Sequence, residues 1–181
     1  FTNRLNQLIL KDNPGCFLRW DVIRETMFLD STLFARKEFQ YLNKLSDWSE
    51  RWSEAIKESV IGRPTPYLLD PRTSANLIHH AFHLAQFEDI TGIPVSGVDF
   101  VLEFGGGYGS MCRLFHNLHF KGKYVIFDLP TFSALQEYYL KAIGLQVDSA
   151  ESFQTKQHGV LCLSDFEKLQ RIFSNSIIGE T

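Results

Sequence analysis

The chain has 181 residues and a formal net charge of −3, from 18 basic and 21 acidic residues. This length suffices for one domain with a sizeable core, or for a core with a helical appendage. The basic residues are scattered and no apolar run reaches the length of a membrane span, so we predict neither a nucleic-acid partner nor a membrane anchor.

The cysteines are three in number and far apart: Cys16, Cys112 and Cys162. No C-x-x-C pair is present, which argues against a disulfide framework and against a structural zinc site. The pattern fits a reducing compartment, and we predict a cytoplasmic protein. The apolar neighbours of Cys112 and Cys162 predict buried, unreactive thiols.

Residues 1–61 are predicted to form a helical N-terminal region. Residues 17–60 contain no glycine or proline, and their apolar residues recur at helical spacing, which indicates two or three helices. Breaks with N-caps are expected at Asp30–Ser31 and at Ser46–Asp47. Trp48 and Trp52 lie four residues apart, which favours a packing stripe, with an aromatic platform for substrate as the alternative.

Residues 62–98 are predicted to hold a connector followed by a helix that covers the cofactor. Three prolines within residues 62–72 require an extended segment. The helix should begin near Thr73 or Ser74, either of which is a good N-cap, and should end before Gly92.

From Asp99 onwards, strands and helices alternate. This alternation predicts an α/β fold with a parallel sheet and helices on both faces, so that every strand's carboxyl end lies along one edge. The expected strands are 100–104, 123–127 and 159–164, with a fourth beginning at Ser176–Gly179. The expected helices are 110–118, 131–142 and 165–173. In segment 145–158, residues 145–147 could form a strand, and the polar stretch after them is expected to be a loop.

A glycine loop follows the first strand in the pattern E-x-G-x-G-x-G, formed by Glu103, Gly105, Gly107 and Gly109. A dinucleotide-binding loop needs a third glycine where Ser110 stands, and no Gly-Lys-Ser/Thr follows for a P-loop. The spacing is typical of S-adenosylmethionine (SAM) sites. Glycines let the backbone lie against the methionine part of the cofactor, and Glu103 can accept from its ammonium group.

A second acidic residue, Asp128, ends the second strand 25 positions after Glu103. A carboxylate there can accept both hydroxyls of a ribose, and Leu129 could pack on the adenine face. The alternative is that Asp128 caps the next helix. After the third strand, Asp165 and Phe166 could meet the adenine amino group and ring, or could serve as a helix N-cap with a core phenylalanine.

The motifs Glu-Phe-Gly-Gly-Gly-Tyr-Gly and Phe-Asp-Leu-Pro resemble those of class I SAM-dependent methyltransferases, including small-molecule O-methyltransferases. With the run at 73–88, the chain is similar to bacterial sugar O-methyltransferases over about residues 62–181. The resemblance implies a Rossmann-like, seven-stranded, mostly parallel sheet and methyl transfer to a hydroxyl of a small, sugar-like acceptor. About four strands fit here. Because the chain starts at Phe1 and stops at Thr181 after an apolar run, we expect a fragment whose 99–181 domain is truncated.

Three histidines on the predicted covering helix are candidate catalytic residues: His79, His80 and His83. His79 and His83 share a helix face, but His80 stands where H-E-x-x-H places its glutamate, so no metal site is predicted. One of them could act as the general base for the acceptor hydroxyl; the alternative is hydrogen-bonded packing between helices. Rival functions are an NAD(P)-dependent oxidoreductase and a non-catalytic SAM-fold interaction protein.

Overall fold

The structure, a computed structural model, describes Gln7, residues 14–27 and residues 32–178. It is mixed α/β and divides into two compact units. The first unit comprises the described residues up to Gly97 together with Arg113–Phe120. The second comprises Val98–Cys112 and the described residues from Lys121 onwards. Among the helices described, none is both long enough and apolar enough to cross a membrane.

Helices of 3 to 17 residues build the first unit. The α-helices are α1 (Asp21–Met27), α2 (Thr32–Leu42), α3 (Ser53–Ala55) and α4 (Ala75–Thr91). A π-helical turn at Trp48–Trp52 leads into α3, and 3₁₀ turns lie at Pro14–Arg19 and Val95–Gly97. The helices predicted within residues 17–60 are thus confirmed, while the break predicted at Asp30–Ser31 lies outside the described residues.

The tryptophans of the π-helical turn pack as the sequence predicts. Trp52 is 1% exposed, and the ring of Trp48 meets Phe39 of α2 edge to face, with centroids 5.6 Å apart. The break predicted at Ser46–Asp47 is confirmed, and Asp47 is the N-cap residue of this turn. Its side chain makes no capping bond, however, and instead accepts from Nη1 of Arg51 at 3.2 Å.

The connector and α4 follow the sequence prediction. Residues 62–72 contain neither helix nor strand. α4 begins where the Ser74 hydroxyl accepts from the Leu77 amide at 3.2 Å, and it ends at Gly92, whose φ of 69° is left-handed. Both ends thus have the side-chain cap and the glycine stop that their residue types favour.

The second unit contains a three-stranded parallel sheet in the order β1-β2-β3. The strands are β1 (Phe100–Phe104), β2 (Lys123–Phe127) and β3 (Gly159–Leu163). The helices are α5 (Ser110–Asn117), α6 (Pro130–Ala142), α7 (Ala150–Thr155) and α8 (Phe166–Ile178). Within segment 145–158, Val147 forms an isolated bridge to Val160. The loop predicted after it is wrong, because the Ser149 hydroxyl accepts from the Ser152 amide and caps α7. The first three predicted strands are confirmed.

The fourth strand, predicted to begin at Ser176–Gly179, is wrong. α8 continues to Ile178, and Gly179 lies outside the described residues. The helix persists because no glycine or proline interrupts it and because three apolar residues at helical spacing pack on the sheet: Leu169, Ile172 and Phe173. The described sheet therefore has three strands rather than about four.

Helices cover both faces of this sheet. On one face, Val125 and Leu161 pack with Phe153 of α7 and with the apolar side of α8. On the other, Cys162 lies near Glu137 and Lys141 of α6, and burial raises the pKa of its thiol to about 12. Cys112 is fully buried, as predicted, whereas Cys162 is only partly buried.

Candidate cofactor site at the carboxyl ends of the strands

The loop after β1 has the backbone conformation that its glycine pattern predicts. Gly105, Gly107 and Gly109 have φ values of 70°, 57° and 92°, in the left-handed region that side chains disfavour. The Gly105 amide donates to the Phe127 carbonyl at 3.0 Å, which ties the loop to the end of β2. An added Cβ at Gly105 would meet no atom within 4 Å, so the space beside it is open.

A fourth glycine, Gly106, is the one that sequence reasoning missed. A Cβ on Gly106 would lie 2.5 Å from Cγ2 of Ile126 and 3.0 Å from the Glu103 carboxylate. The loop can approach β2 this closely only without a side chain. The signal was present in the unbroken Gly-Gly-Gly run, but the motif spacing gave it no role.

Glu103 is held beneath this loop by a buried phenol. The Tyr124 hydroxyl donates to Oε2 of Glu103 at 2.8 Å, and Tyr124 is fully buried. Burial raises the pKa of the Glu103 carboxyl; the negative charge of Asp128 adds to this, and the bond from Tyr124 opposes it. A bound cation would favour the ionised form of this carboxylate.

Asp128 follows β2 and is partly exposed. Its Oδ1 accepts from the Leu129 amide at 2.8 Å, and its Oδ2 accepts from Nε2 of Gln136 at 2.9 Å. The alternative role as a cap is not observed, because Leu129 is the N-cap of α6 and no side chain caps that helix. A carboxylate has about four lone-pair positions, so each oxygen retains one beyond these two bonds.

Gln136 of α6 joins the two parts of the site, and no sequence motif marked it. Its side chain is fully buried, and Nε2 donates to the Gly107 carbonyl at 3.0 Å as well as to Asp128. Its Oε1 is buried without a hydrogen-bond partner in the part of the chain that the structure describes. Gln136 therefore connects the glycine loop directly to the second carboxylate.

Asp165 follows β3 and caps α8, which is one of the two roles that the sequence allowed. Its Oδ1 accepts from the amides of Glu167 at 2.9 Å and Lys168 at 3.2 Å, as an N-cap does. Phe166 is 59% exposed and Leu129 55% exposed. Both therefore present apolar surface that a flat aromatic ligand could cover.

The candidate catalytic histidines lie in the first unit, where the structure distinguishes them. Nδ1 of His79 lies 2.7 Å from Oε1 of Glu38 on α2, and Nε2 of His79 lies 3.1 Å from Nε2 of His83. Burial, with the charge of His79, lowers the pKa of His83. Glu38, 41 residues before His79, had no signal in the sequence.

His80 differs from its two neighbours. Burial, together with the charges of His79 and His83, lowers its pKa to about 4. A group with so low a pKa stays neutral near pH 7 and accepts a proton poorly there. Within the described ranges, no group of three or more His, Cys, Asp and Glu side chains is arranged to hold a metal ion.

Two surface cavities, of about 470 and 370 Å³, lie in the first unit. Neither is lined by a predicted site residue. Two cations that border the larger one are engaged in ion pairs, Lys57 with Glu54 at 2.5 Å and Arg72 with Asp70 at 2.8 Å. These pairs reduce the positive charge that either cation could offer to a ligand.

Comparisons of this chain with protein-family models, with curated proteins and with solved structures found no match.

Proposed function

We propose that this chain binds SAM and serves as a Rossmann-like O-methyltransferase acting on a hydroxyl of a small, sugar-like molecule. The observation that carries the proposal is the pairing of a left-handed glycine loop after β1 with Asp128 after β2. Each Asp128 oxygen retains one acceptor position, and a ribose diol donates two roughly parallel hydrogen bonds. The geometry of the carboxylate therefore suits a nucleoside ribose.

The residues present fit the remainder of SAM. When bound, SAM supplies a methyl group on a strong leaving group. Glu103, beneath the loop, offers a carboxylate to an ammonium group, and the open space beside Gly105 accommodates a backbone-like ligand part. Leu129 and Phe166 offer exposed apolar surface to adenine, with Asp165 adjacent.

A dinucleotide cofactor fits this loop less well. The third glycine of a dinucleotide loop lets the following helix pack closely against the strand. Here Ser110, the first residue of α5, occupies that position and is itself buried. The same strand, loop and acidic residues would serve NAD(P), so the two cofactors must be compared directly.

The identity of the acceptor, and the role of the histidines as general base, are carried by the family resemblance. Within their own unit, the Glu38–His79–His83 chain of contacts favours His79 or His83 over His80. A carboxylate behind an imidazole orients the ring and stabilises its protonated form. Replacing each histidine by glutamine should therefore reduce methyl transfer most at position 79 or 83, and equal rates in all three variants would remove this helix from the reaction.

Isothermal titration calorimetry of the full-length protein with SAM, S-adenosylhomocysteine (SAH) and NAD tests the cofactor. We expect Asp128→Asn to weaken SAH binding by about 10- to 100-fold, because one charged acceptor oxygen is lost. The matched control is Asp99→Asn, an exposed aspartate preceding the amino end of β1. Failure to bind SAH at millimolar concentration, or equal binding of NAD, would refute the proposal.

A further inference from the structure

We propose that Gln136 is the positioning residue that makes this site select a nucleoside with an intact ribose diol. The inference rests on the proposed function and assigns a role to a residue outside every motif in the chain. It is carried by the two hydrogen bonds from Nε2 of Gln136, one to Gly107 and one to Asp128.

The orientation of the Gln136 amide is determined by its partners. Both are pure acceptors: the Gly107 carbonyl oxygen at 3.0 Å and Oδ2 of Asp128 at 2.9 Å. A flipped amide would set its own oxygen against these two oxygens, so the NH₂ group must face them. Each of its two N–H groups then has one acceptor.

A neutral donor at this place leaves Asp128 able to bind a diol. Gln136 occupies one lone-pair position of Oδ2, and the Leu129 amide occupies one of Oδ1. A lysine or arginine would offer several donors, occupy further positions and compensate the negative charge. The glutamine holds the plane of the carboxylate while one position on each oxygen remains for a hydroxyl.

The cost of Gln136 supports a specific role. Its side chain is fully buried, and Oε1 has no partner among the described residues. A buried acceptor without a partner destabilises the folded chain, and an apolar residue of the same size would avoid this cost. The amide is therefore retained for its hydrogen bonds to Gly107 and Asp128, two residues of the proposed cofactor site.

The test compares ligands that differ by one ribose hydroxyl. We measure calorimetric affinities of the full-length protein for SAH and for its 2′-deoxy and 3′-deoxy counterparts. Wild type should prefer SAH by at least about tenfold over each, since a lost bond to a carboxylate is worth this much. In Gln136→Met, which keeps the size and removes both donors, the preference should fall below about threefold.

Two further variants separate positioning from shape. Gln154→Met, an exposed residue on α7, is the matched control and should keep the wild-type preference. Gln136→Glu keeps the shape, and its carboxyl is buried beside Asp128, which favours the protonated form. Protonated, it donates one hydrogen bond to Asp128; ionised, it faces Asp128 with a second carboxylate, so SAH affinity should fall as the pH is raised from about 6 to about 9. An SAH affinity of Gln136→Glu that follows wild type across this whole pH range would overturn the inference.

The outcomes distinguish this inference from the proposed function. If wild type binds no SAH, the proposed function fails and this inference fails with it. If wild type prefers SAH and folded Gln136→Met prefers it equally, only the role of Gln136 is refuted. Should the variants fail to fold, the side-chain amide signals of wild-type Gln136 in ¹⁵N NMR decide. They should shift on saturation with SAH and less with the deoxy ligands, whereas equal shifts would overturn the inference.

Discussion

The region around the glycine loop and the histidine helix α4 differ in how far along the chain their side chains find hydrogen-bond partners. Around the loop, Glu103, Asp128 and Gln136 lie within two consecutive strand-helix units, and the backbone conformation of the glycines shapes the loop between them. On α4, by contrast, His79 depends on Glu38 from a different helix. A local motif thus predicts Glu103 and Asp128, whereas the contact between His79 and Glu38 depends on long-range packing.

The same long-range dependence recurs in the ion pair that the first unit buries. Nη1 of Arg113 donates to Oε2 of Glu58 at 2.9 Å, and its Nη2 donates to the Lys57 carbonyl. The other oxygen of Glu58 accepts from the Ser74 hydroxyl at 2.5 Å. This network joins the segment that follows α3, the start of α4 and the middle of α5, so its loss should exceed any local change at the loop.

The largest effect is expected from Arg113→Met. Both partners of the Arg113–Glu58 pair are about one-tenth exposed, so the variant leaves a buried carboxylate without its cation. We expect the free energy of unfolding in urea to fall by about 3–5 kcal/mol. Adding Glu58→Gln should restore part of the loss. A double variant as unstable as the sum of the single variants would show that the pair does not interact.

A second prediction concerns His80. Its pKa is about 4 in the folded chain, against an ordinary value of 6.5, so the unfolded chain binds the proton more tightly. The contribution of neutral His80 to the free energy of unfolding is present above pH 6.5 and is lost as the pH falls from 6.5 towards 4. Since the side chain is partly exposed, we expect a loss of about 1–3 kcal/mol.

Urea unfolding at a series of pH values checks this prediction. His80→Gln should show a shallower decline between pH 6.5 and 4, whereas the control His158→Gln, at an exposed loop position, should follow wild type. Parallel curves for wild type and His80→Gln would show that burial of this imidazole has no thermodynamic consequence.

On the loop side, Gly106→Ala should destabilise the fold by about 1–3 kcal/mol through overpacking against β2. The reason is the 2.5 Å approach of its Cβ to Ile126. Gly97→Ala is the matched control, because a Cβ there would meet Pro94 at an ordinary 3.4 Å. Thermal melts of the two variants should separate by several degrees; identical melting temperatures would show that the loop adjusts freely.

The smallest effect is expected at Glu103, and its sign is opposite to that of His80. Burial raises the pKa of this carboxyl above 4.5, so the folded chain binds the proton more tightly than the unfolded chain. Its contribution is full below pH 4.5 and is lost as the pH rises through the folded pKa. We expect this decline in the free energy of unfolding to disappear in Glu103→Gln when urea unfolding is measured over a series of pH values. The control Glu167→Gln, at an exposed position, should retain the decline.

Much of the second unit could be predicted because its strands and helices are short and are bounded by residues that stop regular structure. Glycine, proline and capping residues bound each of the three strands, and β2 spans the predicted residues. The wrong fourth strand shows the limit: Ser176–Gly179 has strand-like residues, but the apolar stripe of the preceding helix carries α8 through them. Tertiary packing there overrides local propensity.

The site could be predicted only as far as its motifs reach. Glu103 and Asp128 stand at strand ends, where the fold type alone suggests a role. Gln136 and Tyr124 occupy ordinary helix and strand positions, and what marks them is burial together with hydrogen bonds to those carboxylates. A single sequence contains no record of such contacts, since they depend on the register of strands and helices.

The segment Arg113–Phe120 belongs to the first unit although it follows β1 in the chain. It brings the buried Leu114 and Leu118, and the Asn117 amide donates to the Ala55 carbonyl at 2.8 Å. During synthesis, the first unit therefore cannot complete its core until residue 120 has emerged, after β1 is already made. A chain cut after Gly97 would keep Glu58 without Arg113, so cleavage just before β1 would leave the first unit incomplete.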